Sequence, residues 1–373
     1  MVAGGRGAAV GICVAVVMAV LGIQICSAQI SRSGFPSGFV FGTASSAFQY
    51  EGAIKEGGRG PTIWDTFSHS FGKVIDSSNA DEAVDQYHRY PEDIKLMKDM
   101  GMDAYRFSIA WSRILPNGSG EINQAGVDHY NDFINALLAQ GTNSTDDIQA
   151  TQRAQDFQLG WFLNPLIFGE YPSSMRSRVG GRLPTFSASE SALVKGSLDF
   201  VGINHYTTFY AYHNSSNIIG VVLNDSIADS GAFTVPFKGL KTIAERANSI
   251  WLYIVPSGMR SLMNYIKNNY GNPLVIITEN GMDDPNDKSK PIKEALKDEK
   301  RIRYHNGYLT NLLAAIKEDG CNVKGYFAWS LLDNWEWSAG FTSRFGLYYV
   351  DYKDKLKRYP KDSVQWFKKF LAS

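Results

Sequence analysis

Short apolar or aromatic runs recur along the chain, each followed by a polar loop and then by an amphipathic segment. This alternation builds a parallel sheet with covering helices. Five runs read as strands: Phe39 to Gly42, Ala104 to Ile109, Phe200 to Asn204, Leu274 to Thr278 and Gly325 to Ser330. Their near-continuous hydrophobicity predicts that both sheet faces are covered. Helices are expected over Asp81 to Met100, Gln124 to Ala139, Ala154 to Phe162, Ser249 to Asn268, Glu299 to Glu318 and Ser363 to Leu371. In several of them apolar residues return every three or four positions, as at Ile94, Met97 and Met100 ahead of Gly101. No repeat of 20 to 50 residues and no Pro-rich or Gly/Ser-rich linker divides the sequence, so a single domain is expected.

Polar residues gather just past the strands: Gln49, Arg106, Asn204-His205-Tyr206, Glu279-Asn280, and Asp333 through Trp337. In parallel α/β sheets the loops at the carboxyl ends of the strands are where a site is assembled, so the pattern is that of an enzyme barrel. Charge narrows the partner. With 37 basic and 37 acidic side chains the formal charge is zero, which removes the field that would gather phosphate backbones or anionic lipid; nucleic acid and acidic membrane surfaces are not expected. The 8 Trp, 19 Tyr and 21 Phe exceed what a core alone needs, and flat apolar faces suit the C–H faces of sugar rings.

The first residues have the layout of a secretory signal: Arg6, an apolar run from Ala8 to Ile25, then Cys26-Ser27-Ala28, with cleavage expected after Ala28. The run is interrupted by Gly11 and Gly22, and a membrane span needs about 20 apolar residues, so processing is expected rather than an anchor. Residues 1–28 are therefore read as leader and 29–373 as one barrel domain. No membrane association is expected after cleavage, and the product should enter the secretory route toward the extracellular space or the vacuole. On that route the sequons at Asn117, Asn143, Asn214 and Asn224 become candidate glycosylation sites. The mature chain keeps one cysteine, Cys321, whose apolar neighbours read as a core thiol. His69, His88, His129, His213 and His305 have no metal-ligand spacing, and Gly57 to Gly60 lacks the Lys-Ser/Thr ending of a phosphate loop and reads as a turn. No metal and no cofactor are expected.

The most informative string is Val275-Ile-Ile-Thr-Glu279-Asn280-Gly281. A carboxylate ending a buried strand is costly to place, so it has charged and hydrogen-bonding partners, performs chemistry, or caps the next turn. Ile277-Thr-Glu-Asn-Gly281 resembles the nucleophile motif of glycoside hydrolase family one, the group of the plant β-glucosidases, and four further strings resemble that family in its own order. They are Phe39 to Gly52, Tyr105 to Pro116, Gly202 to Tyr206, and Phe327 to Trp337 with its continuation Phe341 to Asp351. The resemblance implies a (β/α)8 TIM barrel that cleaves the terminal β-D-glucosyl residue of small glycosides with retention. Glu279 would be the nucleophile, supported by Arg106 and Tyr206. Gln49, Trp329, Glu336, Trp337 and Phe345 would form the glycone pocket, with Trp329 as stacking platform and Glu336-Trp337 as clamp on the outer hydroxyls. A guanidinium and a phenol beside Glu279 both favour its ionised form. Trp111, Trp161, Trp251 and Trp366 are read as core aromatics.

The chain departs from the family at one place. Retention needs a second carboxyl about 5 Å from the first, to protonate the leaving oxygen and later deprotonate water. The family carries it in a Thr-(Phe/Leu)-Asn-Glu-Pro string, and no such string occurs here. The family's His-Trp string is also missing, and the helix from Gln124 runs into Gly141 to Gln149 and then into a segment resembling the stretch after the family's fifth strand. About three strands, the third to the fifth, are therefore expected to be absent through an internal deletion near 141–145, leaving an incomplete barrel without its acid/base glutamate. Two expectations stand side by side: a β-glucosidase-type hydrolase impaired or inactive in this form, and a non-catalytic sugar-binding or unproductive splice isoform.

Overall fold

The computed structural model describes residues 30–138, 159–213, 229–230 and 232–373. The leader, the sequons Asn143, Asn214 and Asn224, the junction at 141–145 and residues 154–158 of one expected helix lie outside the described residues.

All five expected strands form: β1 (Val40–Ala44), β2 (Ala104–Arg106), β3 (Val201–Asn204), β4 (Val275–Asn280) and β5 (Val323–Ala328). They make one sheet in the order β2-β1-β5-β4-β3 with every neighbouring pair parallel. Chain order and spatial order together follow the wall of a (β/α)8 barrel, with the gap falling between β2 and β3. This is an incomplete barrel: β2 pairs only with β1 and β3 only with β4 among the described residues. Burial follows position. All five residues of β1 are buried, as are all but one in each of β4 and β5, whereas β2 and β3 alternate or fade toward solvent.

Six helices of eight or more residues cover the described sheet: α1 (Gln86–Met100), α2 (Gln124–Leu138), α3 (Trp161–Phe168), α4 (Pro256–Tyr270), α5 (Glu299–Lys317) and α6 (Asp362–Ala372). The longer ones bury a stripe that returns every three or four residues, such as Met259, Met263, Ile266 and Tyr270 on α4, or Tyr304, Tyr308, Leu312 and Ala315 on α5. Helix α1 begins at Gln86 rather than Asp81 because Ala83 and Asp85 take left-handed backbone (φ 48° and 55°). There the amides of Val84 and Tyr87 bond to the carbonyls of Tyr50 and Glu51 instead of to a preceding turn. Helix α4 starts at Pro256, whose fixed φ suits a first turn. Upstream of it, the Ser249 amide bonds to the carboxylate of Asp283.

The tryptophans correct one expectation. Trp366 packs face to face on Phe370 (ring centroids 5.4 Å apart), as a core aromatic should. Trp111, Trp161 and Trp251 are instead 66%, 38% and 45% exposed. Trp111 follows edge strand β2 and Trp161 opens the helix leading toward edge strand β3, where fewer neighbours remain to cover them. Cys321 is buried, and burial pushes its thiol up to about 11. Residues Gly57 and Gly58 lie in a turn.

Candidate active site

The carboxyl ends of all five strands converge on one region. Glu279, the penultimate residue of strand β4, is 9% exposed. Its carboxylate is held from two sides: the Arg106 guanidinium, from the end of β2, donates to Oε1, and the Tyr206 hydroxyl, two residues past β3, donates to Oε2 at 2.5 Å. Burial and then the Glu279 charge drive the Tyr206 phenol well above its ordinary range, so it remains a hydrogen-bond donor. With one donor on each oxygen, the carboxylate is held in a fixed orientation.

A second polar pair forms beyond β1 and β5. Gln49, on the short helical turn Ala47–Tyr50, is 1% exposed. Its Nε2 donates to the Trp335 carbonyl (2.8 Å), to Asn334 Oδ1 (3.0 Å) and to Glu336 Oε2 (3.3 Å). Burial raises the Glu336 carboxyl to about 8, with Asp283 and Glu279 adding to the effect. Its Oε1 makes no hydrogen bond among the described residues, so one acceptor is left for a bound hydroxyl. Trp329 and Phe345 are both 4% exposed, and the Phe345 ring meets Tyr206 edge-on at 6.0 Å. Trp337 leans on Trp64 (4.5 Å). The structure thus brings Glu279, Arg106 and Tyr206 into direct contact, joins Gln49 to Glu336, and sets Phe345 against Tyr206. Asn117 is exposed.

The sequence placed Asn280 and Asp333 near the strand ends but gave them no role, and it did not single out Tyr304, Tyr308 or Tyr326. Asn280 is fully buried; its Nδ2 donates to the His205 carbonyl (2.6 Å) and the Tyr304 hydroxyl (2.9 Å), and its Oδ1 accepts from Tyr326 (2.6 Å). Tyr304 and Tyr308 of α5 both donate to the Tyr206 carbonyl (2.9 and 3.1 Å). One network therefore fixes the backbone beneath both the carboxylate and its phenol. The only sequence signal was the four-residue spacing of Tyr304 and Tyr308, which apolar packing would also explain. A second network anchors the loop carrying Glu336: Asp333 accepts from Arg344 (2.5 Å), Lys361 (2.8 Å) and the Gly346 amide (3.0 Å). Burial works to raise the Asp333 carboxyl, but Lys361 and Arg344 outweigh it and hold it below the usual carboxylate range. Gly281 cannot carry a side chain, because a Cβ there would lie 1.8 Å from the Trp329 carbonyl oxygen. Trp251 stands edge-on to Tyr206 (5.8 Å) with its remaining surface open. Among the described residues no group of three His, Cys, Asp or Glu side chains is close enough to hold a metal.

An incomplete parallel barrel with a glutamate held by Arg106 and Tyr206, and with polar and aromatic side chains gathered at its strand ends, has the arrangement of a carbohydrate-active enzyme. The profile described as Glycosyl hydrolase family 1 matches residues 31–145 and 140–373. The chain is 53% identical to Beta-glucosidase 40 of Arabidopsis thaliana, over 94% of this chain and 94% of the relative, and 50% identical to Beta-glucosidase 6 of Oryza sativa subsp. japonica, over 96% of each. A rice Os3BGlu6 β-glucosidase mutant, solved in a covalent complex with Glc, superposes with a TM-score of 0.88 at 50% identity, covering 92% of this chain and 100% of that one. This chain belongs to glycosyl hydrolase family 1. The alignment with the Arabidopsis relative spans 482 positions against 373 residues here, so a block of the relative faces a gap, and the two profile matches meet at 140–145.

Proposed function

We propose that the chain is a β-glucosidase-type retaining hydrolase that has lost its proton donor, with Glu279 as nucleophile and a small-molecule β-glycoside as ligand. The observation that carries this reading is the Glu279 carboxylate gripped by Arg106 and Tyr206 at the carboxyl end of a buried strand. The covalent Glc complex of the rice relative supports it. One carboxylate oxygen of Glu279 attacks the anomeric carbon, and the bond to the leaving group breaks with its electron pair departing on that group. Water then attacks the same carbon, its proton passes to solvent, and Glu279 is released as carboxylate. Gln49 and Glu336 orient the ring hydroxyls, Trp329, Trp337 and Phe345 enclose the ring, and the half-open face of Trp251 beside Tyr206 meets the leaving group. Without an Asn-Glu-Pro carboxyl to protonate the departing oxygen, only groups that leave unaided react at more than trace rates.

The test is covalent labelling by 2-deoxy-2-fluoroglucosyl fluoride on protein whose near-ultraviolet circular dichroism is native-like. The fluorine destabilises the oxocarbenium-like transition state of release, so the adduct accumulates. Intact-mass spectrometry and peptide mapping should place one sugar on the peptide containing Glu279. An unlabelled folded protein would overturn the assignment and favour the second reading, a sugar-binding or unproductive splice isoform, which the missing acid string and the open sheet edges support. Sequencing the transcript across residues 141–145 tests the deletion. The leader and sequons support secretory processing near Gln29, carbohydrate on Asn117 and on Asn143, Asn214 and Asn224, and an extracellular or vacuolar destination; an unprocessed, unglycosylated cytosolic product from insect cells would contradict this.

A further inference from the structure

We propose that Asp76 is the positioning residue of the sugar clamp: it sets the backbone that carries Glu336 and Trp337, and so governs how firmly a glucosyl ring is held. This rests on the reading of those two side chains as contacts to the ring. Glu336, Trp337 and Phe341 stand on the loop beyond β5, and 265 positions of sequence separate Phe341 from Asp76. The loop is folded on itself: the Glu336 amide donates to the Gly340 carbonyl (2.8 Å) and the Gly340 amide to the Trp337 carbonyl (3.0 Å). Trp337 takes left-handed backbone (φ 54°), which a bulky residue keeps only where its surroundings impose it.

What imposes it is a strap formed by residues 74–80. The Asp76 carboxylate accepts the Phe341 amide on Oδ2 (2.9 Å), and on Oδ1 the Ser78 hydroxyl (2.6 Å) and amide (3.1 Å). Ser78 Oγ accepts in turn from the Trp335 indole N–H (3.1 Å), and the Ile75 amide donates to the Ser338 carbonyl (2.9 Å). The strap thus grips the loop on both sides of Trp337. Gly340 (φ 59°) stands against it, and a Cβ there would lie 2.0 Å from Asp76 Oδ1, so this position stays bare for the carboxylate to come close. Val74, Ala80, Ala83 and Trp335 form a small cluster separate from the main core, with Trp64, Trp337 and Phe341 packed against it. Asp76 itself lies at the surface. The Phe341 carbonyl is held from the other side by Asn286 Nδ2 (2.7 Å), so loss of Asp76 lets the loop swing without opening the barrel. Because the Glu336 amide is tied to Gly340, that swing moves the Glu336 carboxyl and its free acceptor.

The experiment compares the full wild-type chain with Asp76→Ala, Asp76→Asn and Ser78→Ala. Each is grown with 5-fluorotryptophan, and the Trp337 fluorine resonance is assigned by its loss in Trp337→Phe. In Asp76→Ala that resonance should shift or broaden while the Trp366 resonance stays in place. Affinity for 1-deoxynojirimycin, a sugar mimic that does not react, should fall at least about tenfold by calorimetry, as expected for the loss of a charge-assisted hydrogen bond. In labelling by 2-deoxy-2-fluoroglucosyl fluoride the half-saturating concentration should rise similarly, with the limiting rate within about threefold, because Arg106 and Tyr206 still hold Glu279. Asp76→Asn, whose side-chain oxygen can still accept the Phe341 amide, should recover most of the affinity. Ser78→Ala should lose about three- to tenfold and carries the test where Asp76→Ala does not fold. An unmoved Trp337 resonance, affinity that is absent in the wild type or indifferent to these substitutions, or a loss confined to the limiting rate would each overturn the proposal. Wild-type chain that binds the mimic in an Asp76-dependent way yet takes no covalent label would break the Glu279 reading and leave this one standing.

Discussion

The centre of the sheet and its rim are built from equally apolar strings, yet they do not share the same fate. Strands β1, β5 and β4 each have two neighbours and helices behind them, and side chains such as Phe41, Val275, Ile277 and Tyr326 are at most 1% exposed. Strands β2 and β3 have one neighbour each among the described residues, and Ile109, Trp111 and Phe200 beside them are about half open to solvent. Burial therefore depends on the neighbours a strand has and not on its own hydrophobicity. The difference reaches the chemistry. The nucleophile candidate stands on the centre, while both groups that grip it, Arg106 and Tyr206, hang from the rim. A loosened rim degrades the site before it unfolds the core.

The largest expected effect is on labelling. Glu279→Gln should abolish the adduct entirely, whereas Tyr206→Phe, which removes one hydrogen bond to a charged group, should slow labelling by about 10- to 100-fold. Equal losses from the two substitutions would mean that the rim matters as much as the centre. Stability should split the two regions next. Leu312→Ala, at a fully buried position of α5, should cost about 2–5 kcal/mol in urea unfolding. Ile109→Ala at the rim should stay within about 0.5 kcal/mol.

A smaller, pH-dependent effect comes from Glu336. Its folded carboxyl sits at about 8 against an ordinary value of 4.5. Below pH 4.5 both states hold the proton and the fold has its full stability; between 4.5 and 8 the unfolded chain releases the proton while the folded one retains it, so stability falls by an amount on the order of a few kcal/mol. Melting temperature should decline across that window, and Glu336→Gln should flatten the decline. His305, which burial lowers to about 3, acts oppositely and costs stability as pH falls below 6.5. The mildest test is hydrogen exchange: amides of β2 and β3 should exchange through local opening, and those of β1, β5 and β4 only through global unfolding. Uniform protection would remove the distinction between rim and centre.

Much of the site was readable because its residues sit in short local strings. Glu279 lies at the carboxyl end of its strand, Arg106 ends β2, and Gln49, Tyr206 and Glu336 stand in the segments that follow β1, β3 and β5, so the strand pattern places them at one end of a parallel sheet. Tyr304, Tyr308 and Tyr326, and the role of Asn280 in joining them, escaped notice for the opposite reason. They are drawn together from α5, β4 and β5, and a buried tyrosine in a helical stripe looks like packing until its hydroxyl partner is seen. Trp251 was misread because an aromatic string has no mark that separates a core ring from one standing beside Tyr206.

The amino-acid pattern by itself determined the five strands, the covering helices and the end of the sheet at which the polar residues gather, because period and strand-end position are local properties of the chain. Only the tertiary structure decided which strands are central and which are edges, how Glu279 meets Arg106 across 173 positions of sequence, and which aromatics face solvent. Those outcomes depend on which neighbours a residue acquires when distant segments pack, and here the neighbours on one side of the sheet are absent among the described residues.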